Sequence, residues 1–191
     1  MDRKRTTKFL TDILINRLSD RKYYAKEVCV DYGTEHTKRV DVMEFVPVGT
    51  IHASDIEKGY FVCYEVKSCK EDIYSGSGLN FFGEKNYIVT TMETYNKIRE
   101  DIINGRLQQY VKDHYPESSL HFGIMVAVPA HIDLRKYAII CKEMECPTKL
   151  EGTPFDWKLY TIERANGSRN RAMTELLFCM LRSKHNYSNQ C

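Results

Sequence analysis

Residues 60–68 read Tyr-Phe-Val-Cys-Tyr-Glu-Val-Lys-Ser, a strand-forming run that stays apolar on both faces until its last turn. A strand of a half-exposed sheet alternates polar with apolar; one that does not alternate is covered on both sides. The segment therefore predicts a central strand with a layer above and a layer below. Its end adds a second constraint. Burying a charge is costly unless the charge is paired or metal-bound, so Glu65 and Lys67 need partners. Residues two apart on a strand share a face, which sends Glu65 and Lys67 one way and Tyr64 and Val66 the other.

The flanking patterns supply the layers. Phe9, Leu10, Ile13, Leu14 and Leu18 recur at helical spacing and predict a helix over 7–18. Strands are expected at 27–31 and 38–46, turning near Gly33, then a loop over 47–59 and the central strand over 60–67. A turn with one or two helical turns is expected at 75–83, a strand at 86–91, and a charged helix at 93–114 interrupted near Gly105. Strands follow at 121–128, around 137–141 and at 157–163. A last helix is capped by Ser168 and buries Ala172, Met173, Leu176, Leu177 and Met180. Strands alternating with helices predict an α/β sandwich, one mixed sheet with helices on both faces. At 191 residues the chain reads as a single domain, with its core over about 7–128 and its closing strand and helix over 157–183.

Within the strand over 38–46, Arg39, Asp41, Met43 and Phe45 share a face, and Glu44 lies on the other, where an ion pair or solvent suits it. If that strand pairs with the central one, Asp41 falls beside Glu65. Two convergent carboxylates hold a hard divalent cation, and a neighbouring ammonium orients water or faces phosphate charge. Asp41, Glu65 and Lys67 are thus the candidate catalytic trio. Asp41, Glu65 and the Val66 carbonyl are the candidate ligands of Mg²⁺ or Mn²⁺. Ser68 and Asp72 are expected to cap the following turn.

Lys and Arg total 28 and Asp and Glu 26, a net charge of +2 that does not by itself announce a nucleic-acid partner. The basic residues cluster, however. Arg3, Lys4, Arg5 and Lys8 lie at one end and Arg164, Arg169, Arg171, Arg182 and Lys184 at the other. With Arg39 and Ser68, residues Arg3, Lys4, Arg5, Arg169 and Arg171 are the candidate nucleic-acid contacts. The seven cysteines include no Cys-x-x-Cys pair, and Cys63 and Cys179 read as small core residues. The glycines at 76, 78 and 83 lack the Gly-Lys-Ser/Thr ending of a phosphate loop. No apolar run reaches the length of a membrane span, and no apolar signal core follows the basic start, so a cytoplasmic location without membrane partners is expected.

The Asp41 strand followed by Glu65-Val66-Lys67 resembles the PD-(D/E)XK nuclease superfamily. It is closer still to the MmcB-like branch of DNA-repair and phage proteins, through Glu65-Val66-Lys67-Ser68, Asp72, Asn80-Phe81-Phe82-Gly83 and Asn86-Tyr87-Ile88-Val89. The resemblance implies a restriction-endonuclease-like core, an aromatic helix after the Asp-containing turn, and metal-dependent hydrolysis of DNA, with RNA also admissible. The chain departs from the pattern in having Val40 where a Pro precedes the first acid, and in the length of its 47–59 loop. Many members also carry an acid on the first helix; Asp12 faces away from the apolar stripe and is not given that role. Two other readings stand beside the nuclease: a catalytically inactive nuclease-fold module that binds DNA, and an interaction protein, such as a homodimer.

Overall fold

The computed structural model describes residues 2–21, 23–49, 52–132 and 149–186. One six-stranded sheet organises them, with strands in chain order. These are β1 (Tyr24–Val30), β2 (Lys38–Val46), β3 (Tyr60–Val66), β4 (Lys85–Thr91), β5 (Gly123–Pro129) and β6 (Trp157–Glu163). β1, β2 and β3 run antiparallel, β3, β4 and β5 parallel, and β6 returns antiparallel to β5. The expected strand around 137–141 lies outside the described residues.

Helix α1 (Arg3–Leu18) covers one face, packing Leu10, Ile13 and Leu14 on Val62, Tyr64, Val66 and Val89. The other face carries α4 (Met92–Ile103) and α5 (Arg106–His114) over Ile88, Ile124 and Val126. Beyond them α6 (Met173–Asn186) sets Leu176, Cys179 and Met180 on Val28, Met43 and Cys63. The α/β sandwich expected from the sequence is the architecture found. Cys63 and Cys179 are free and buried in its core. Among the described residues, no helix is long and apolar enough to cross a membrane.

Several elements differ from their sequence-based bounds, each for a local reason. α1 starts one turn earlier because the Asp2 side chain accepts the Lys4 N–H at 3.2 Å, drawing Arg3, Lys4 and Arg5 into the helix. The 47–59 loop contains a short helix, α2 (Ala53–Glu57), closed by reciprocal bonds between His52 and Asp55. The helical turn expected at 75–83 lies earlier, as α3 (Lys70–Ile73), and Asn80–Gly83 is not helical. Phe81 packs under α4 and α5 while Phe82 packs under α6, an alternation only extended backbone allows. The aromatic helix implied by the resemblance is therefore absent. Ser168 does not cap α6. Gly167 donates to the Glu84 carbonyl and Asn170 to the Glu117 carbonyl, holding that stretch extended until Ala172. Gly105, at φ +70°, separates α4 from α5 as expected.

Candidate functional site

Register brings the acids together. β2 pairs Val42 with Tyr64 and Met43 with Cys63, which sets Asp41 across from Glu65 one step further on. Asp41 Oδ2 accepts the Val66 N–H at 2.8 Å, tying the start of β2 to the end of β3. The next residue, Lys67, donates its N–H to the Val89 carbonyl, and its own carbonyl accepts from the Thr90 hydroxyl, both on the β4 side. Strand geometry therefore turns the Val66 carbonyl the other way, toward Asp41.

Glu65 is fully buried and half satisfied. Its Oε1 accepts the Asn80 N–H at 3.2 Å, and its Oε2 is a buried atom with no hydrogen-bond partner. Burial pushes its carboxyl well above the ordinary range, and the Asp41 charge adds to that push while Lys67 opposes it. Burial also raises Asp41, against the Val66 N–H and Lys67. Lys67 is 5% exposed, and its Nζ donates to the Ser77 carbonyl at 2.7 Å.

The loop over these groups depends on Gly78. Its φ is +68°, and a β-carbon there would stand 2.9 Å from Lys67 Nζ and 3.2 Å from Glu65 Oε2. The sequence-based expectation for this segment, a turn with one or two helical turns, gives Gly78 no role at the site. The Gly-Ser-Gly spacing carries the signal, since a glycine is required where backbone closes on side chains.

Asp41, Val66 and Lys67 line the floor of an open cavity of about 1280 Å³, with Glu65 buried beneath. The polar face of α1 forms one wall with Arg3, Lys4, Thr7, Lys8, Thr11 and Asp12; the loop over 76–80 and the end of α5 form another. Seven lysines and arginines line this cavity against four aspartates, which makes it a basic cleft with an acidic floor. Asp12 lines the cleft but pairs with Lys8 at 2.7 Å. The side of α1 turned from the apolar stripe is a cavity wall, which periodicity alone cannot distinguish from open surface.

The other predicted contacts divide. Arg3, Lys4 and Arg39 line the cleft, Arg3 holding Asp72 at 2.5 Å and Arg39 holding Glu27 at 2.8 Å. Arg5 is exposed on α1 and does not line it. Ser68 is buried, giving its N–H and hydroxyl to Asp72 at 3.0 Å each; the Asp72 carboxylate closes the turn, the N-cap of α3 is Cys69, and Ser68 does not line the cleft. Burial works to raise Asp72, but the Ser68 N–H, Lys67 and Arg3 outweigh it and hold the carboxyl below its usual range. Arg169 pairs with Glu84, which also accepts the Phe61 N–H, at the far end of β3 from Lys67. At about 3.3 Å per residue that is roughly 20 Å away. Arg171 is held by Asp31, Glu117 and Glu175, at 2.8, 2.7 and 3.1 Å. Both arginines serve as ion-pair clamps, and neither lines the cleft. Glu44, on the opposite face, is also buried; it accepts the Tyr64 hydroxyl at 3.0 Å and faces Arg21.

Glu27 escaped the sequence reading. The β1–β2 register sets it across from Asp41, and its φ of +53° is the left-handed region that side chains rarely adopt. Strain of this kind concentrates where geometry serves a site, but it leaves no mark on composition.

The donors present suit a hard cation. Two carboxylates and a carbonyl meet there, one carboxylate oxygen being buried and unmet. Among the described residues no three His, Cys, Asp or Glu side chains gather to hold a metal by themselves. Mg²⁺ accepts such a set, because it keeps several waters and takes one or two carboxylates. No family model, curated protein or solved structure matches this chain.

Proposed function

We propose that this chain is a cytoplasmic, divalent-metal-dependent nuclease of the PD-(D/E)XK kind, hydrolysing phosphodiester bonds of DNA in repair or in phage DNA processing. The observation that supports it best is the Glu65 carboxylate. It is fully buried, unmet at Oε2, opposite Asp41, and beside an ammonium that opens on a basic cleft.

In this reading Asp41, Glu65 and the Val66 carbonyl hold Mg²⁺ or Mn²⁺. The bound cation supplies acidity to water and offsets charge developing on the phosphate. Lys67, fixed by the Ser77 carbonyl, positions the attacking water and hydrogen-bonds a phosphate oxygen. Arg3, Lys4 and Arg39 grip the backbone through counterion release, so binding weakens steeply with salt. The test is incubation with labelled single- and double-stranded DNA and Mg²⁺ or Mn²⁺. EDTA-sensitive cleavage, absent in Lys67→Ala, is the expected outcome. Salt-sensitive binding without cleavage, indifferent to metal, would identify an inactive DNA-binding module instead.

A further inference from the structure

Most polar side chains around the cleft floor have at least one partner. Lys67 Nζ is taken by the Ser77 carbonyl, Asn80 Nδ2 by the Arg39 carbonyl, and the Tyr110 hydroxyl accepts the Gly76 N–H. Tyr115, just past the end of α5, is different. The residue is 7% exposed and lines the cleft, and its hydroxyl is a buried atom without a hydrogen-bond partner. It also lines a side pocket of about 170 Å³ that shares Lys38 and Asn80 with the cleft, so it stands where the two spaces meet. Burial raises the phenol's pKa most, and the neighbouring Tyr110 hydroxyl and then the Glu65 carboxylate add to it. Two of the buried, unmet side-chain atoms among the described residues therefore belong to one neighbourhood: an acceptor, Glu65 Oε2, and a donor, the Tyr115 hydroxyl.

A buried polar atom left unpaired is unfavourable, and native proteins keep few of them. A cation would satisfy the carboxylate but not the phenol, which has a proton to give. A ligand that brings an acceptor oxygen meets the phenol. The basic walls select an anion to carry it. We propose that Tyr115 is a substrate-contacting residue of this site, its hydroxyl donating a hydrogen bond to a non-bridging oxygen of the phosphodiester lying over Asp41, Glu65 and Lys67. This assignment rests on the nuclease reading, and it adds a neutral donor to the ammonium of Lys67.

Tyr115→Phe removes only the oxygen and keeps the ring against Tyr110, with centroids 6.4 Å apart. On a DNA oligonucleotide with Mn²⁺, kcat/KM should fall roughly 10- to 100-fold, the usual effect of deleting a hydrogen bond to a charged group. The melting temperature should hold or rise. A phosphorothioate at the scissile position should slow the wild type by a larger factor than the variant for one diastereomer, because sulfur is the poorer acceptor. Unchanged turnover, or thio effects equal in both proteins, would overturn the assignment. If the wild type cleaves nothing, the nuclease reading fails, and the contact is read from binding of the same oligonucleotide with Ca²⁺. Weaker binding by Tyr115→Phe supports the contact, and equal binding overturns it.

Discussion

Two glutamates, Glu44 on β2 and Glu65 on β3, are buried to 4% and 0% exposure, yet face opposite sides of the sheet and meet opposite fates. Glu44 has a tyrosine hydroxyl and an arginine. Glu65 has one backbone N–H, an unmet oxygen, and a second carboxylate across the strand pair. The first is what a fold does with a charge it must bury; the second leaves the half-met carboxylate that the proposed cation site needs. Burial alone does not separate them. The state of their hydrogen bonds does.

The largest effects should fall on activity. Lys67→Ala and Asp41→Ala should lower cleavage by roughly 10²- to 10³-fold or more, the scale for removing one group that stabilises transition-state charge. Glu44→Gln should leave it unchanged, as measured in the same assay. Next comes stability on the satisfied side. Glu44→Ala strands the Tyr64 hydroxyl, which should cost about 1–3 kcal/mol, read by urea unfolding, and lower the melting temperature by roughly 2–4 °C per kcal/mol.

Gly78→Ala should combine smaller losses. An alanine at φ +68° costs about 1–2 kcal/mol, and its β-carbon displaces Lys67 Nζ from beside Glu65. The variant should fold, show a lower melting temperature, and lose the stabilisation by Mn²⁺ expected of the wild type.

Glu65→Gln should act in the opposite sense to Glu44→Ala, raising the melting temperature of the metal-free protein. The Glu65 carboxyl is raised in the folded chain, so the folded state keeps its proton after the unfolded chain has lost one. Stability is then full below the ordinary glutamate value and declines as pH rises toward the folded value. Glu65→Gln should flatten that decline in melts between pH 4 and 9, and Mn²⁺ should flatten it in the wild type. Asp72 slopes the other way. Its lowered carboxyl stabilises above the ordinary aspartate value, and the gain is lost as pH falls through the folded one. Arg3→Ala, which removes a partner that is itself 59% exposed, should be the mildest change, within about 1 kcal/mol.

The sequence made the strands and the pairing of Asp41 with Glu65 legible, because an alternating or unbroken apolar run fixes both a strand's existence and its facing. The core residues of α1 were legible for the same reason, at helical period. What periodicity does not encode was missed. The polar side of α1 faces a cleft, and Asp12 there differs from a solvated residue only in tertiary context. Arg169 and Arg171 look in sequence like phosphate grips, but carboxylates from α6 and the loops claim them. Glu27 and Gly78 act through backbone conformation, and Tyr115 through the absence of a partner. None of these is a property of the residue's own neighbours in the chain.

Binding of Mn²⁺ to the wild type, Glu44→Gln and Glu65→Gln proteins, followed by titration calorimetry without nucleic acid, addresses the cation site itself. Saturable binding that survives Glu44→Gln and weakens at least roughly tenfold in Glu65→Gln, about 1.4 kcal/mol, is the result expected. A wild-type protein that takes up no Mn²⁺, or a Glu65→Gln variant that binds it as tightly, would contradict a metal centre at this carboxylate.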